Sequence, residues 1–292
     1  MPKRRASRGC RLRYGGAEMT LLEGSLALGT NSDCLELVQI TDPHLMADPN
    51  GDLLGMKTLD SLRRVLSRMS EYSTPDAVLV TGDIAADGDA EAYDYLEALL
   101  PPTMVSAWLP GNHDDRGKIS PELKKRFSRT MISSHWIILM LDTQSPGQVE
   151  GYLSHFEHDQ LSHTIEQANN DGKHLLVATH HPLQPVGSAW LDEQHVGNGT
   201  EVLSRLQQCQ GSTLVISGHV HQATDREVNG IRLLTTPSTC IQFAPHSENF
   251  GLDEIDPGMR RLALHANGGI ETEVIRISCA ENRPDFTSRG YH

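Results

Sequence analysis

The sequence predicts an α/β protein in which two mixed sheets pack together with helices outside. Three observations predict it. Apolar, β-rich runs alternate with segments of helical periodicity over the first three-quarters of the 292 residues, and the last quarter turns to strands alone. In addition, four of five short polar blocks end an apolar strand-like run, the place where α/β folds collect ligands from distant parts of a chain. The alternation is continuous from about residue 35 to 278, so a single domain is expected.

The elements follow from the patterning. Leu35–Thr41 is a short apolar strand. Leu53–Ser70 carries Leu59, Leu62, Val65, Leu66 and Met69 at helical spacing and predicts an amphipathic helix. Ala77–Thr81 is a β-rich run. Asp89–Leu100 is a second helix, stopped by Pro101-Pro102, and Val105–Leu109 a third strand. Trp136–Asp142 reads as a strand, Phe156–Asn169 as a helix, His174–Thr179 as a buried strand, Thr200–Gln207 as a short helix and Thr213–Ser217 as a strand. Ile231–Thr235, Arg261–His265 and Thr272–Ile277 complete the β content as a meander. Asn229-Gly230 and Asn267-Gly268 mark hairpin turns before two of these strands.

Composition narrows the function classes. The formal charge is −13, from 38 acidic and 25 basic residues, and such a surface repels nucleic acid. No basic patch lies outside the first 13 residues, so no nucleic-acid partner is expected. Five widely spaced Cys (10, 34, 209, 240 and 279) form no C-x-x-C pair, which fits a reducing cytoplasm. No apolar run approaches a membrane span, so no membrane partner is expected either. Lys3, Arg4, Arg5, Arg8, Arg11 and Arg13 open the chain without an apolar core that would make a signal peptide. Residues 1–33 are expected to be a basic, disordered extension, with Met19 an alternative start.

Seven candidate metal ligands lie in the five blocks: Asp42-Pro43-His44, Gly82-Asp83, Gly111-Asn112-His113-Asp114, His180-His181-Pro182 and Gly218-His219-Val220-His221. Carboxylates, imidazoles and one amide are what a pair of divalent cations takes, and the absence of Cys argues against a structural zinc knuckle. Two such ions about 3.5–4 Å apart activate one shared water and clamp an in-line displacement at phosphorus. The pair needs a bridging carboxylate, and Asp83 is the candidate. Asp42 with His44, and His219 with His221, alternate around one residue and can point the same way. Asn112 offers a neutral oxygen where phosphate must land, and His113 beside it could act without binding metal. Between His180 and His181 the pattern does not choose. Singly each block is weak, since G-D and G-N are common turns; the five in this order are specific.

That order resembles the calcineurin-like metallophosphoesterase superfamily. Several segments are similar to its bacterial class III 3′,5′-cyclic AMP phosphodiesterases of the CpdA type. They are Leu37-Val38-Gln39-Ile40-Thr41-Asp42-x-His44-Leu45, Trp108-Leu109-Pro110-Gly111-Asn112-His113-Asp114, Ser188-Ala189-Trp190-Leu191-Asp192 and Thr236-Pro237-Ser238-Thr239-Cys240-Ile241-Gln242-Phe243 with Pro245-His246. Pro43 is a departure, standing where relatives often carry Thr or Leu.

The resemblance implies a four-layer α/β/β/α sandwich over residues 34–280, with 281–292 a C-terminal tail. It implies two divalent ions, one held by Asp42, His44, Asp83 and His221 and the other by Asp83, Asn112, His180 and His219, and it selects His180 over His181. Fe(II) is implied at the first position and Mn(II) or another divalent ion at the second. The implied reaction is hydrolysis of cyclic AMP to 5′-AMP by a hydroxide shared between the ions, with His44, Asn112, His113 and His221 contacting the substrate and His113 as general acid. Trp190 and Phe243 are read first as packing residues and second as stacking partners for adenine; His181 or His246 could reach the sugar or phosphate. The alternatives are a broader phosphodiesterase acting on glycerophosphodiesters or other diesters, a scaffold that has lost catalysis, and a cyclic-nucleotide sensor. The full ligand set speaks against the scaffold, and the lack of a Gly-rich phosphate cradle against the sensor.

Overall fold

The computed structural model describes residues 20–29, 33–71 and 74–290. Its strands are β1 (Glu23–Ala27), β2 (Cys34–Ile40), β3 (Asp52–Leu53), β4 (Met56–Lys57), β5 (Ala77–Thr81), β6 (Ser106–Leu109), β7 (Ser128–Ile132) and β8 (Trp136–Met140), followed by β9 (His174–Ala178), β10 (Thr213–Ser217), β11 (Thr224–Val228), β12 (Ile231–Thr235), β13 (Gly258–His265) and β14 (Ile270–Arg276). The helices are α1 (Thr58–Glu71), α2 (Ala90–Leu99), α3 (His155–Asp171), α4 (Ala189–Asp192) and α5 (Gly199–Leu206).

Seven strands form one sheet in the order β1-β7-β8-β9-β10-β12-β11, and five form another in the order β14-β13-β2-β5-β6. β8, β9, β10 and β12 are parallel neighbours, as are β2, β5 and β6. The antiparallel β11, β13 and β14 make both sheets mixed. Alternation along the central strands sorts their side chains into two layers. Ile138, Met140, Leu176, Ala178, Leu214 and Ile216 join Leu37, Ile40, Val78 and Val80 of the other sheet in one core, to which α1 and α2 add Leu59, Leu62, Ala92 and Leu96. Their sequence neighbours Ile137, Leu139, Leu175, Val177 and Val215 pack against Leu161 and Ile165 of α3 and Val202 and Leu206 of α5. The result is the α/β/β/α sandwich of two mixed sheets flanked by helices. Among the described residues no helix is long and apolar enough to cross a membrane.

Several expectations are corrected. The helix expected over Leu53–Ser70 begins at Thr58, because Leu54 and Gly55 take positive φ (52° and 88°) and turn the β3–β4 hairpin. The strand-only last quarter is two hairpins on different sheets, β11–β12 on one and β13–β14 on the other. β1 and β7 had no clear signal: β1 is an edge strand with four of five residues exposed, and β7 is half polar. The disorder expected of residues 1–33 does not hold for 20–28, where β1 pairs with β7 and Leu21, Leu22 and Leu28 are buried; residues 1–19 lie outside the described residues. The expected C-terminal tail after 280 meets the β3–β4 hairpin through its described residues. Asn282 exchanges hydrogen bonds with the Lys57 backbone, and the Asp285 N–H donates to the Leu54 carbonyl.

Candidate metal centre

Each of the five blocks directly follows a strand, and the strands divide between the sheets. β2, β5 and β6 lead into Asp42/His44, Asp83 and Asn112/His113; β9 and β10 lead into His180 and His219/His221. Because the strands run parallel within each sheet, their carboxyl ends share one rim. The backbone bends sharply there. Asp42, His44, Asp83, His219 and His221 all have φ between 45° and 67°, a left-handed region that costs non-glycine residues and collects at functional sites. Two glycines permit the crowding. A Cβ on Gly111 would overlap the Asp83 carboxylate, and one on Gly218 would overlap Thr41 and the Asp42 carboxylate.

The seven side chains converge. His44 Nε2 lies 3.2 Å from His221 Nε2, and His221 Nε2 lies 3.4 Å from Asp42 Oδ1. Asp83 Oδ2 lies 3.7 Å from His44 Nε2 and 3.3 Å from His180 Nε2, so one carboxylate oxygen faces both halves. His180 Nε2 is 3.1 Å from Asn112 Oδ1, and the rings of His180 and His219 are 5.1 Å apart. Asp42, His44 and His221 offer ligand atoms within 4.8 Å of one another, as do Asp42, Asp83 and His180. His113 is near enough to join His44 and Asp83 in such a group, and His181 to join His180 and His219. Only Asn112 and His113 are more than slightly exposed.

The hydrogen bonds fix which ring nitrogens face inward. A carbonyl can only accept, so the 2.8 Å contact to Thr81 O makes His180 Nδ1 a donor, and the 2.9 Å contact to Ile241 O does the same for His221 Nδ1. In the neutral rings Nε2 is then a lone pair. For His221 that atom faces a carboxylate and another imidazole, whereas His180 Nε2 faces two oxygens that it can meet by carrying a proton or by sharing them with a cation. Converging lone pairs in a buried space repel unless a cation lies among them. His219 Nε2 is also buried with no hydrogen-bond partner, at a cost of about 1–3 kcal/mol. These observations fit metal ions, and carbonyl-oriented His rings are the usual second support of metal sites. Burial presses His180 toward neutrality, but the Asp83 carboxylate outweighs it and lifts its pKa to about 9. Burial likewise works to raise Asp83, and the charges of His180 and His113 outweigh it and hold the carboxyl well below its usual range. Burial, reinforced by the charges of neighbouring imidazoles and only partly opposed by Asp83, keeps His44 and His219 well below the usual imidazole range.

His181 differs from its neighbour. Its Nε2 donates to Val149 O at 3.0 Å and its Nδ1 accepts from Thr143 Oγ1 at 2.9 Å, so both nitrogens are engaged away from the cluster. Burial, then the charge of His180, push it down to about 3, leaving it neutral. The geometry therefore favours His180 as the inward-facing ring of the pair.

The sequence profile of the calcineurin-like phosphoesterases matches residues 35–223, a span that contains all seven converging residues. The chain belongs to this family. Across 90% of its length this phosphoesterase is 39% identical to 99% of the 3′,5′-cyclic adenosine monophosphate phosphodiesterase CpdA of Vibrio vulnificus. It is 37% identical to the protein of that name from Haemophilus influenzae, over 88% of this chain and 95% of the relative. Among solved structures, a dimetal phosphatase from Danio rerio superposes with a TM-score of 0.58 at 16% identity, covering 84% of this chain and 99% of the other, which shows a shared fold. Membership implies two divalent metals, and the Asp/His groups above could hold them.

Beside the cluster this phosphoesterase has a cavity of about 280 Å³. Its lining mixes polar Asp83, Asn112 and His113 with apolar Val149, Trp190, Leu191 and Phe243. Phe243 stacks on His221 at 4.2 Å and meets Trp190 edge-on at 5.0 Å, so these aromatics both pack and line the cavity. Neither His181 nor His246, the candidates for sugar or phosphate contact, is among the residues that line it.

Sequence reasoning missed the supports. Asp114 accepts from Gly111 N (2.8 Å), Ala85 N (3.0 Å) and Ile84 N (3.2 Å), binding the G-N-H-D turn to the loop after β5. Burial, then Asp83, raise its pKa to about 6. Gln144 donates to Gly111 O and Asp114 O and is itself held by Arg116. Asp114 lay within a recognised block; Gln144 and Arg116 carried no local signal.

Proposed function

We propose that this chain hydrolyses 3′,5′-cyclic AMP to 5′-AMP at a dinuclear centre. The observation that carries this reading is the likeness to CpdA phosphodiesterases over nearly the full length of both chains. Asp42, His44, Asp83 and His221 would hold one ion, and Asp83, Asn112, His180 and His219 the other, with Fe(II) in the first position and Mn(II) or another divalent ion in the second. When bound, the ions supply an ionised water as nucleophile and neutralise phosphate charge.

The rest is done by the chain's own groups. His44, Asn112, His113 and His221 contact the substrate, and Asn112 brings an oxygen without adding negative charge. The His113 N–H donates to Asp83 Oδ1 at 2.9 Å, which ties its backbone to the bridging carboxylate. Its Nδ1 donates to Ala86 O at 2.7 Å, so Nε2 is the atom that exchanges a proton. Protonated His113 gives that proton to the departing ribose 3′-oxygen. We also propose a cytoplasmic location, because the five Cys are widely spaced and form no C-x-x-C pair, as suits a reducing compartment.

The test is hydrolysis by purified protein after chelation and re-addition of Fe or Mn, with products identified. Cyclic AMP is compared with cyclic GMP, 2′,3′-cyclic nucleotides and bis(p-nitrophenyl) phosphate. Metal-dependent release of 5′-AMP is expected. Rapid turnover of the last substrate with negligible cyclic AMP hydrolysis would replace this reading with a broad phosphodiesterase.

A further inference from the structure

His181 sits against the cluster, 4.7 Å ring to ring from both His180 and His219, yet it bonds elsewhere. Its two nitrogens grip one loop, residues 143–152. Nδ1 takes the Thr143 hydroxyl at the neck, where Tyr152 N also donates to Thr143 O at 3.0 Å, and Nε2 holds the Val149 carbonyl near the tip. The set is reciprocal, for the His181 N–H donates back to Thr143 Oγ1 at 3.3 Å. Gly151 makes room for the ring, since a Cβ there would come within 2.6 Å of it. The loop is thus held to the same short segment that carries His180.

The loop presents Val149, which is 52% exposed and lines the cavity beside the cluster. With Trp190, Leu191 and Phe243 it makes up the apolar part of the lining, which suits a base rather than a phosphate. A half-exposed aliphatic at a cavity rim gains when an apolar ligand surface covers it. In a cyclic nucleotide that surface is the base. We propose that Val149 is a specificity-determining residue for the base end of the substrate, and that His181 is the positioning residue that holds it over the cavity. The proposal rests on the cyclic AMP reading above.

The experiment compares cyclic AMP with abasic ribose 3′,5′-cyclic phosphate, following phosphorus NMR and metal content. For Val149→Gly, KM for cyclic AMP should rise about tenfold, the effect of losing one aliphatic contact. Its kcat and metal content should stay within about twofold, and KM for the abasic compound should not move. Thr143→Val, which removes the donor to His181, should raise KM for cyclic AMP in the same direction; Thr143→Ser, which keeps the hydroxyl, should resemble the parent. Equal KM shifts for both substrates, or identical behaviour of Thr143→Val and Thr143→Ser, would overturn the proposal. So would loss of metal on Thr143→Val, because His181 would then act through the cluster. Failure of the parent protein to cleave cyclic AMP while it cleaves the abasic compound would sink the substrate reading first.

Discussion

Asp83 Oδ2 lies 3.3 Å from His180 Nε2 and 3.7 Å from His44 Nε2. The loops after three different strands, β2, β5 and β9, meet at that one oxygen. A group shared in this way cannot be removed from one half of the cluster alone.

Replacing it should therefore empty both positions. Asp83→Ala is expected to reduce bound metal at both sites and lower turnover by at least about 100-fold. Elemental analysis alongside an activity assay checks this. Retention of one ion per chain would show that Asp83 does not bridge.

His113→Ala separates chemistry from metal binding. With the general acid removed, kcat should fall by roughly 10²–10⁴ while metal content stays near the parent value. Loss of metal in the variant would mean that His113 is itself a ligand, which its nearness to His44 and Asp83 makes a real test.

Metal removal should also weaken the fold. His221 Nε2 converges on the Asp42 carboxylate and His44 Nε2, and His219 Nε2 is buried without a partner. Ions present at 100–1,000 times their Kd add about 3–4 kcal/mol, or roughly 6–15 °C in Tm for a chain of this size. Calorimetry before and after chelation, with re-addition, measures it. An unchanged Tm would mean that the cluster holds no ion tightly.

Truncation tests the edge strand. Deleting every residue before Gly29 removes β1 together with buried Leu21, Leu22 and Leu28. It also takes away two acceptors of the Arg129 guanidinium, Thr20 Oγ1 and Leu22 O, while leaving its buried pair with Glu157. Loss of about 3 kcal/mol or more is expected from the leucines alone, read as a fall in Tm. A truncated chain as stable as the parent would show that β1 adds nothing to the sheet.

The blocks of candidate ligands were legible because chemistry restricts them: only certain residue types bind divalent ions, and four of the five followed an apolar run that reads as a strand. The central strands were legible for the same reason, being buried on both faces and nearly uninterrupted in apolar residues. β1 and β7 were not, because an edge strand half open to water needs no apolar pattern and draws its stability from a partner about a hundred positions away.

The residues alone were enough for the two-sheet class and for the chemistry gathered at one rim, since periodicity and donor type are local properties. They could not separate His180 from His181, which are adjacent and of the same type. That difference appears only in the fold, where Thr81 and Asn112 surround one ring and Thr143 and Val149 surround the other. A hydrogen bond depends on position in space, and segments tens of residues apart acquire their relative positions only when the chain packs.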